Sequence, residues 1–125
     1  MDTINKKILI VEDDEDFVFI LEKKFTTEGF LVVTAKDGQE GIAAVEKEKP
    51  DLIISDMLMP KIDGMGMAKK IRETNPSVPI IFLTNIKDDN YIASFKESDH
   101  LEYLIKSNTS IDDIIAKSKI TLGIA

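Results

Sequence analysis

The chain has 125 residues, of which 43% are hydrophobic and 31% charged, with a formal net charge of -7 and no cysteine. This length suits one domain, residues 1–125, with a buried core. The negative charge argues against a nucleic-acid-binding surface, which needs a basic patch. The lack of cysteine excludes disulfides, zinc thiolates and a cysteine nucleophile, and it fits a reducing compartment, so we expect a cytoplasmic protein. Acidic residues follow the first apolar run at once, and we therefore expect no signal peptide and no membrane span.

The first strand is predicted over residues 7–11, a largely apolar run that ends in five consecutive acids, 12–16. Apolar residues then recur at helical spacing. An acidic start suits the positive end of a helix dipole, which accounts for the later acids of the run. Glu12 and Asp13 lie on the strand side of the turn, where they would repel each other unless a cation lies between them.

The second strand is predicted over residues 30–35 and the third over residues 52–56, each followed by a helical pattern. The third is an isoleucine-rich run bounded by turn residues, which is typical of a buried parallel strand. It ends in Asp56, and the helix after it begins near Gly64. Asp56 therefore lies at the carboxyl end of a buried strand, where open α/β sheets bind their ligands.

The fourth strand is predicted over residues 79–83, ending at Thr84, and the fifth over 103–105, ending at Lys106. A weaker helical pattern at 88–97 separates them.

The last helix is predicted to begin after Ser110, which with Asp113 resembles a capping box. Strand and helix thus alternate five times along the chain. This alternation indicates an α/β protein with a parallel sheet, helices on both faces and right-handed crossovers.

Polar residues end four of the predicted strands: Glu12 and Asp13, Asp56, Thr84 and Lys106. The carboxyl ends of parallel strands share one edge of the sheet, so we expect these side chains to lie together. Three carboxylates in one place disfavour full ionisation unless a hard cation neutralises them, and Mg²⁺ prefers such oxygen ligands.

Phosphoryl transfer is the chemistry that fits this set. Asp56 could attack a phosphoryl group and form an acyl phosphate, as carboxylate nucleophiles do. Mg²⁺ and the Lys106 ammonium would offset the charge on the transferring group, and the Thr84 hydroxyl could donate to a phosphoryl oxygen.

The whole chain resembles the receiver domains of two-component response regulators. The resemblance rests on residues 8–14, on the Asp-x-x-Met-Pro-x-x-Asp-Gly pattern of residues 56–64, on Thr84 and on residues 103–106. It implies a flavodoxin-like, doubly wound sandwich with a five-stranded parallel sheet in the order 2-1-3-4-5 and five helices. It also implies a signalling domain rather than an enzyme.

The resemblance assigns roles to the residues at the strand ends. It implies that Asp56 is the phosphoacceptor and receives the group from the phosphohistidine of a sensor histidine kinase or a phosphotransfer protein. It implies that Glu12, Asp13 and Asp56 hold Mg²⁺ with the backbone carbonyl of Leu58, and that Lys106 contacts the phosphoryl group.

The resemblance also implies a conformational switch made by Thr84 and Tyr103. The fourth helix, fifth strand and fifth helix would then present a changed surface to a downstream protein partner. No direct nucleic-acid binding and no membrane association are expected of this domain.

Three departures from the family pattern lie near the fifth strand. Asn85 replaces the usual small residue after the threonine, and Ser107 replaces the usual proline after the lysine, which makes a cis peptide bond there much less favourable. Residues 98–101 replace a common Gly-Ala pair. We infer that phosphorylation is retained and that the departures affect the coupling to output.

Three other functions compete with this interpretation. A pseudo-receiver would keep the fold as a phosphorylation-independent protein-binding module. A flavin-binding electron carrier should have a loop rich in Ser, Thr and Gly after the first strand, where this chain has acids. A phosphatase with an aspartyl-phosphate intermediate commonly has a second Asp two positions after the nucleophile, where this chain has Leu58.

Overall fold

The computed structural model describes residues 4–85 and 100–124. Five strands lie in these residues: β1 Lys7–Val11, β2 Leu31–Ala35, β3 Leu52–Asp56, β4 Ile80–Thr84 and β5 Leu101–Ile105. They pair in parallel in the order β2-β1-β3-β4-β5. The predicted parallel sheet and its strand order are confirmed.

Helices connect the strands. The described residues contain α1 Glu15–Thr27, α2 Gly38–Glu48, α3 Gly64–Thr74 and α4 Ile111–Thr121, with a 3-10 turn at Lys106–Asn108 before α4. Four of the five predicted helices are therefore observed, and the one predicted over 88–97 lies outside the described residues. No described helix has both the length and the apolar character needed to cross a lipid bilayer.

The two faces of the sheet carry separate cores. Alternate strand residues point to opposite faces. Leu9 and Ile53 pack in the core that α2 and α3 cover, whereas Ile8 and Ile54 pack in the core that α1 and α4 cover. Because both faces are buried, the inner strands are largely apolar rather than alternating.

The fifth strand begins earlier than predicted. It starts at Leu101, which pairs with Ile80 and is buried, whereas the sequence predicted a strand over 103–105. Glu102 interrupts the apolar pattern, and this is why the start was missed. Its carboxylate bonds Lys117 and Thr121 of α4, so it is satisfied within the strand.

Side-chain caps place the helix starts at the carboxyl edge of the sheet. Asp14, Asp37 and Asp63 accept backbone N–H bonds at the starts of α1, α2 and α3, in the segments that follow β1, β2 and β3. The predicted capping box of Ser110 and Asp113 is confirmed at α4. Aspartate oxygens satisfy N–H groups that the first helical turn leaves unpaired.

Candidate functional site

Three carboxylates meet at the carboxyl edge of the sheet. Glu12 and Asp13 follow β1, and Asp56 is the last residue of β3. One carboxylate oxygen from each lies within 4.8 Å of the others. β1 and β3 are neighbours in register, with Val11 beside Ser55, so the residues after these positions converge. The predicted acidic cluster is therefore present.

Glu12 is the buried member of the cluster, with only 4% of its surface exposed. Its Oε2 accepts the backbone N–H groups of Asp13 and Asp14 at 2.9 and 3.1 Å. Its Oε1 accepts from Lys106 Nζ at 2.8 Å. These bonds fix the carboxylate, while the next residue, Asp13, stays exposed to solvent.

Lys106 reaches back across the sheet edge to both β1 and β3. Its Nζ lies 2.8 Å from Glu12 Oε1 and 3.9 Å from Asp56 Oδ2. The ammonium also lies 4.5 Å from the ring centroid of Phe17, in the first turn of α1. A cation over an aromatic face is electrostatically favourable, and the contact with Glu12 is the closest of the three.

The Asp56 carboxyl is half-buried, and its Oδ1 accepts the Met57 N–H at 2.8 Å. Burial raises its pKa above the ordinary aspartate value, although the Lys106 charge and the N–H groups of Met57 and Leu58 act in the opposite direction. The neighbouring Asp13 charge adds to the rise. The ionised form of Asp56 is thus less favoured than that of an ordinary aspartate unless further positive charge is present.

The Glu12 carboxyl is affected in the same way. Burial raises its pKa, the bonds from Lys106 and from the Asp14 N–H oppose the rise, and the Asp13 and Asp56 side chains add to it. For Lys106, burial alone would lower the pKa, but the bond and charge of Glu12 and the charge of Asp56 outweigh burial and raise it. Lys106 therefore stays positively charged in this site.

The donor set fits a divalent cation. When all are ionised, three carboxylates and one ammonium leave two negative charges at the cluster. Mg²⁺ is commonly bound by one or two carboxylates, waters and phosphate oxygens. The exposed Asp13 and half-buried Asp56 leave the cluster open to solvent on one side, as a metal that keeps waters requires.

The other predicted residues lie on elements next to the cluster. Thr84 is the buried last residue of β4 and pairs with Ile105, and Tyr103 is half-buried on β5 beside Phe82. Tyr103 pairs with Phe82, which lies two residues before Thr84 on β4. Because side chains two residues apart along a strand share a face, Thr84 and Tyr103 lie on the same side of the sheet. Leu58 lies in the loop between β3 and α3, and 64% of the residue is exposed.

Two contacts at this edge were not predicted from the sequence. Phe17 is one of the apolar residues that recur at helical spacing after the acidic run, and that spacing does not indicate its proximity to Lys106. Lys61, in the loop after β3, pairs at 3.4 Å with Asp37, the buried N-cap of α2. The one sequence signal for such contacts is that all four residues lie in segments that follow strand ends, because the carboxyl ends of parallel strands share one edge of the sheet.

These features define a doubly wound α/β protein with its site at the carboxyl edge of the sheet. A model of the response regulator receiver domain family matches residues 8–119. The chain belongs to this family, a class of signalling domains of two-component systems, as the resemblance implied.

Relatives and solved structures agree with this assignment. The chain is 42% identical over 88 residues to the alkaline phosphatase synthesis transcriptional regulatory protein PhoP of Bacillus subtilis, covering 70% of this chain and 36% of that protein. It spans between 17% and 44% of the length of the curated relatives it matches. A two-component response regulator from Clostridium difficile superimposes with a TM-score of 0.86 at 30% identity, covering 95% of this chain and 97% of that one.

A third similar protein was solved with a ligand. The response regulator TrrA of Thermotoga maritima, in complex with Mg²⁺-BeF, superimposes with a TM-score of 0.79 at 30% identity. The match covers 93% of this chain and 98% of that one.

Proposed function

We propose that this domain accepts a phosphoryl group on Asp56, in a Mg²⁺-dependent reaction, from the phosphohistidine of a sensor histidine kinase or a phosphotransfer protein. The observation that carries the proposal is the place of Asp56. It ends a buried strand beside two further carboxylates, with the Lys106 ammonium 3.9 Å from its Oδ2. The TrrA complex with Mg²⁺-BeF supports the same chemistry for a related protein.

In the transfer step, the phosphoryl group moves from the donor imidazole to the Asp56 side chain. A carboxylate oxygen attacks phosphorus, the phosphorus–nitrogen bond to the donor imidazole breaks, and the imidazole nitrogen keeps the electron pair. The product is an acyl phosphate on Asp56. The Lys106 ammonium offsets the negative charge of the transferring group, and the Thr84 hydroxyl donates to one of its oxygens.

Mg²⁺ would be held by the Glu12, Asp13 and Asp56 side chains with the Leu58 backbone carbonyl. Bound there, the metal supplies positive charge that neutralises the phosphoryl oxygens. Two backbone N–H groups and Lys106 already fix the Glu12 carboxylate. Mg²⁺ binding would therefore require little movement of the Glu12 side chain.

Signal output would follow from Thr84 and Tyr103. Thr84 moving toward the phosphoryl group would make room for Tyr103 to turn inward, since both lie on one side of the sheet. The changed surface would include β5, α4 and the region of the helix predicted over 88–97, and it would bind a downstream protein. The phosphoryl group can bias this equilibrium only through contacts that differ between the two states.

The pseudo-receiver hypothesis is less favoured. The two departures from the family pattern at Asn85 and Ser107 are the features that favour it. The Asn85 side chain accepts the Ser107 backbone N–H at 2.9 Å, and Lys106, directly before Ser107, still contacts Glu12. The departures therefore leave the Lys106 ammonium in place beside the two carboxylates, where phosphoryl transfer would use it.

Intact mass spectrometry tests the proposal. The protein is incubated with Mg²⁺ and a small-molecule phosphodonor, and wild type is compared with Asp56→Asn and with Asp51→Asn, a control at the opposite end of β3. We expect one added phosphoryl group in wild type and Asp51→Asn, and none in Asp56→Asn or with a chelator. No adduct in wild type, together with no Mg²⁺ binding by titration calorimetry, would favour the pseudo-receiver.

A further inference from the structure

The side chain of Asn85 links the ends of β4 and β5. Asn85 directly follows Thr84, and its Oδ1 accepts the backbone N–H of Ser107 at 2.9 Å. The strand pairing ends at Thr84 and Ile105, so this bond joins the two chains beyond the last ladder position. Ser107 directly follows Lys106 in the sequence, which brings the bond next to the lysine of the acidic cluster.

Both peptide groups that flank Lys106 are thereby held by side chains. On its amino side, the Ile105 carbonyl accepts from Thr109 Oγ1 at 2.7 Å. On its carboxyl side, the Ser107 N–H donates to Asn85. The 3-10 turn at Lys106–Asn108 has no side-chain cap from Ile105, the residue that precedes it, and Asn85, directly after β4, supplies the acceptor instead.

The position of the Lys106 ammonium depends on this backbone. A lysine side chain is a flexible four-carbon stem, and its reach is set by where the stem begins. The ammonium lies at 2.8 Å from Glu12 and 3.9 Å from Asp56, so a small shift of the stem changes which carboxylate it contacts more closely.

We propose that Asn85 is a positioning residue for Lys106, acting through the Ser107 backbone N–H. The two departures from the family pattern then act as one unit, because a proline at position 107 would have no N–H to donate. Asn85 supplies the acceptor that this N–H needs. An effect of Asn85 on the rate of phosphoryl transfer rests on the proposed function, whereas its effect on the position of the Lys106 ammonium does not.

The first test uses nuclear magnetic resonance without any phosphodonor. It compares wild type with Asn85→Ala, which removes the acceptor, and Asn85→Asp, which keeps an oxygen acceptor. Asn75→Ala is the matched control, since Asn75 Oδ1 also accepts two backbone N–H groups, but between α3 and β4, where it touches no residue of the cluster. The readouts are amide exchange at Ser107 and the chemical shifts of the Lys106 ε-methylene group, which lies near the Phe17 ring.

In Asn85→Ala we expect Ser107 amide exchange to accelerate by roughly two- to tenfold, the effect of losing one hydrogen bond. We also expect the Lys106 ε-methylene shifts to move as the ammonium leaves its place over the Phe17 ring. Asn85→Asp and Asn75→Ala should keep wild-type values for both. Wild-type exchange and wild-type shifts in Asn85→Ala would overturn the proposal, and so would equal changes in Asn75→Ala.

The second test measures the rate of phosphorylation by a small-molecule donor. We expect Asn85→Ala to be slower by roughly two- to tenfold with unchanged Mg²⁺ affinity, because Lys106 rather than the metal ligands is displaced. Asn75→Ala should react at the wild-type rate. If wild type takes up no phosphoryl group and binds no Mg²⁺, the proposed function fails, and the magnetic resonance results still decide the role of Asn85.

Discussion

Burial and positive charge act against each other at the Asp56 carboxyl. Burial raises its pKa, and Lys106 only partly compensates. Because the folded pKa lies above that of the unfolded chain, the folded state keeps the proton up to higher pH. The protonated Asp56 therefore contributes to the free energy of unfolding at low pH, and this contribution is lost as the pH rises through the pKa of Asp56 in the folded state. An ionised Asp56 therefore costs stability in the metal-free protein.

Replacing Asp56 by asparagine should stabilise the metal-free protein at neutral pH. We expect the free energy of unfolding to rise by about 0.5–1 kcal/mol, the scale of a partly screened charge contact. The gain should shrink as the pH falls through the raised pKa of Asp56, since the wild-type carboxyl is then protonated. Urea unfolding at several pH values measures it. Asp51→Asn, at the other end of β3, is the control, and a loss of stability in Asp56→Asn at neutral pH would contradict the argument.

At the scale of elements, the start of α3 is packed tightly against the end of β3. A Cβ added at Gly64 would lie 2.7 Å from Phe82 Cε1, 3.0 Å from Met57 Sδ and 3.1 Å from the Asp56 carbonyl oxygen. The Gly64 N–H also donates to the Met57 carbonyl at 2.8 Å. The approach of α3 to the sheet thus depends on the missing side chain, and it fixes the loop that carries Leu58.

Gly64→Ala should therefore destabilise the protein, although alanine favours helices. Overpacking costs about 1–3 kcal/mol, which exceeds the gain of up to about 1 kcal/mol in helix propensity. Gly66→Ala is the matched control, because its closest contacts are side-chain atoms of Ile62 and Asp63 at 3.1 and 3.2 Å. Urea unfolding should show a clear loss for Gly64→Ala and a smaller change for Gly66→Ala. Equal changes would show that the close approach to Phe82 is unimportant.

At the scale of the whole molecule, the parallel sheet brings together residues that are far apart in the chain. Glu12 and Lys106 are 94 positions apart and form a 2.8 Å bond. Mg²⁺ binding at the cluster would add a further link between β1 and β3. A ligand that binds only the folded state stabilises it by mass action.

Mg²⁺ should accordingly raise the melting temperature. At a hundredfold excess over the dissociation constant, the stabilisation is about 2.7 kcal/mol. Protons compete with the metal for Glu12 and Asp56, whose pKa values are raised, so the effect should weaken as the pH falls through those values. Differential scanning calorimetry with Mg²⁺ or a chelator measures the shift. Asp13→Asn removes one of the proposed ligands, an exposed side chain, at little packing cost. An undiminished shift in that variant would indicate binding elsewhere.

The sequence by itself determined the parallel α/β architecture and the residues at the strand ends. Apolar runs, turn residues and capping side chains are local signals, and they placed Asp56 and Lys106 correctly at the ends of β3 and β5. The family resemblance added the strand order. The role of Asp56 as phosphoacceptor stays a prediction that mass spectrometry tests, and the switching roles of Thr84 and Tyr103 stay predictions.

Only the tertiary structure decided how these residues meet. Glu12 and Asp13 are adjacent acids, yet one is buried against Lys106 and the other is exposed, because burial depends on β5 at the far end of the chain. The start of β5 at Leu101 depends on its pairing with β4. Asn85 and Ser107 are far apart in the sequence, and only the fold shows that they form a 2.9 Å hydrogen bond. Side-chain contacts across strands have no periodicity in the sequence, so no local pattern records them.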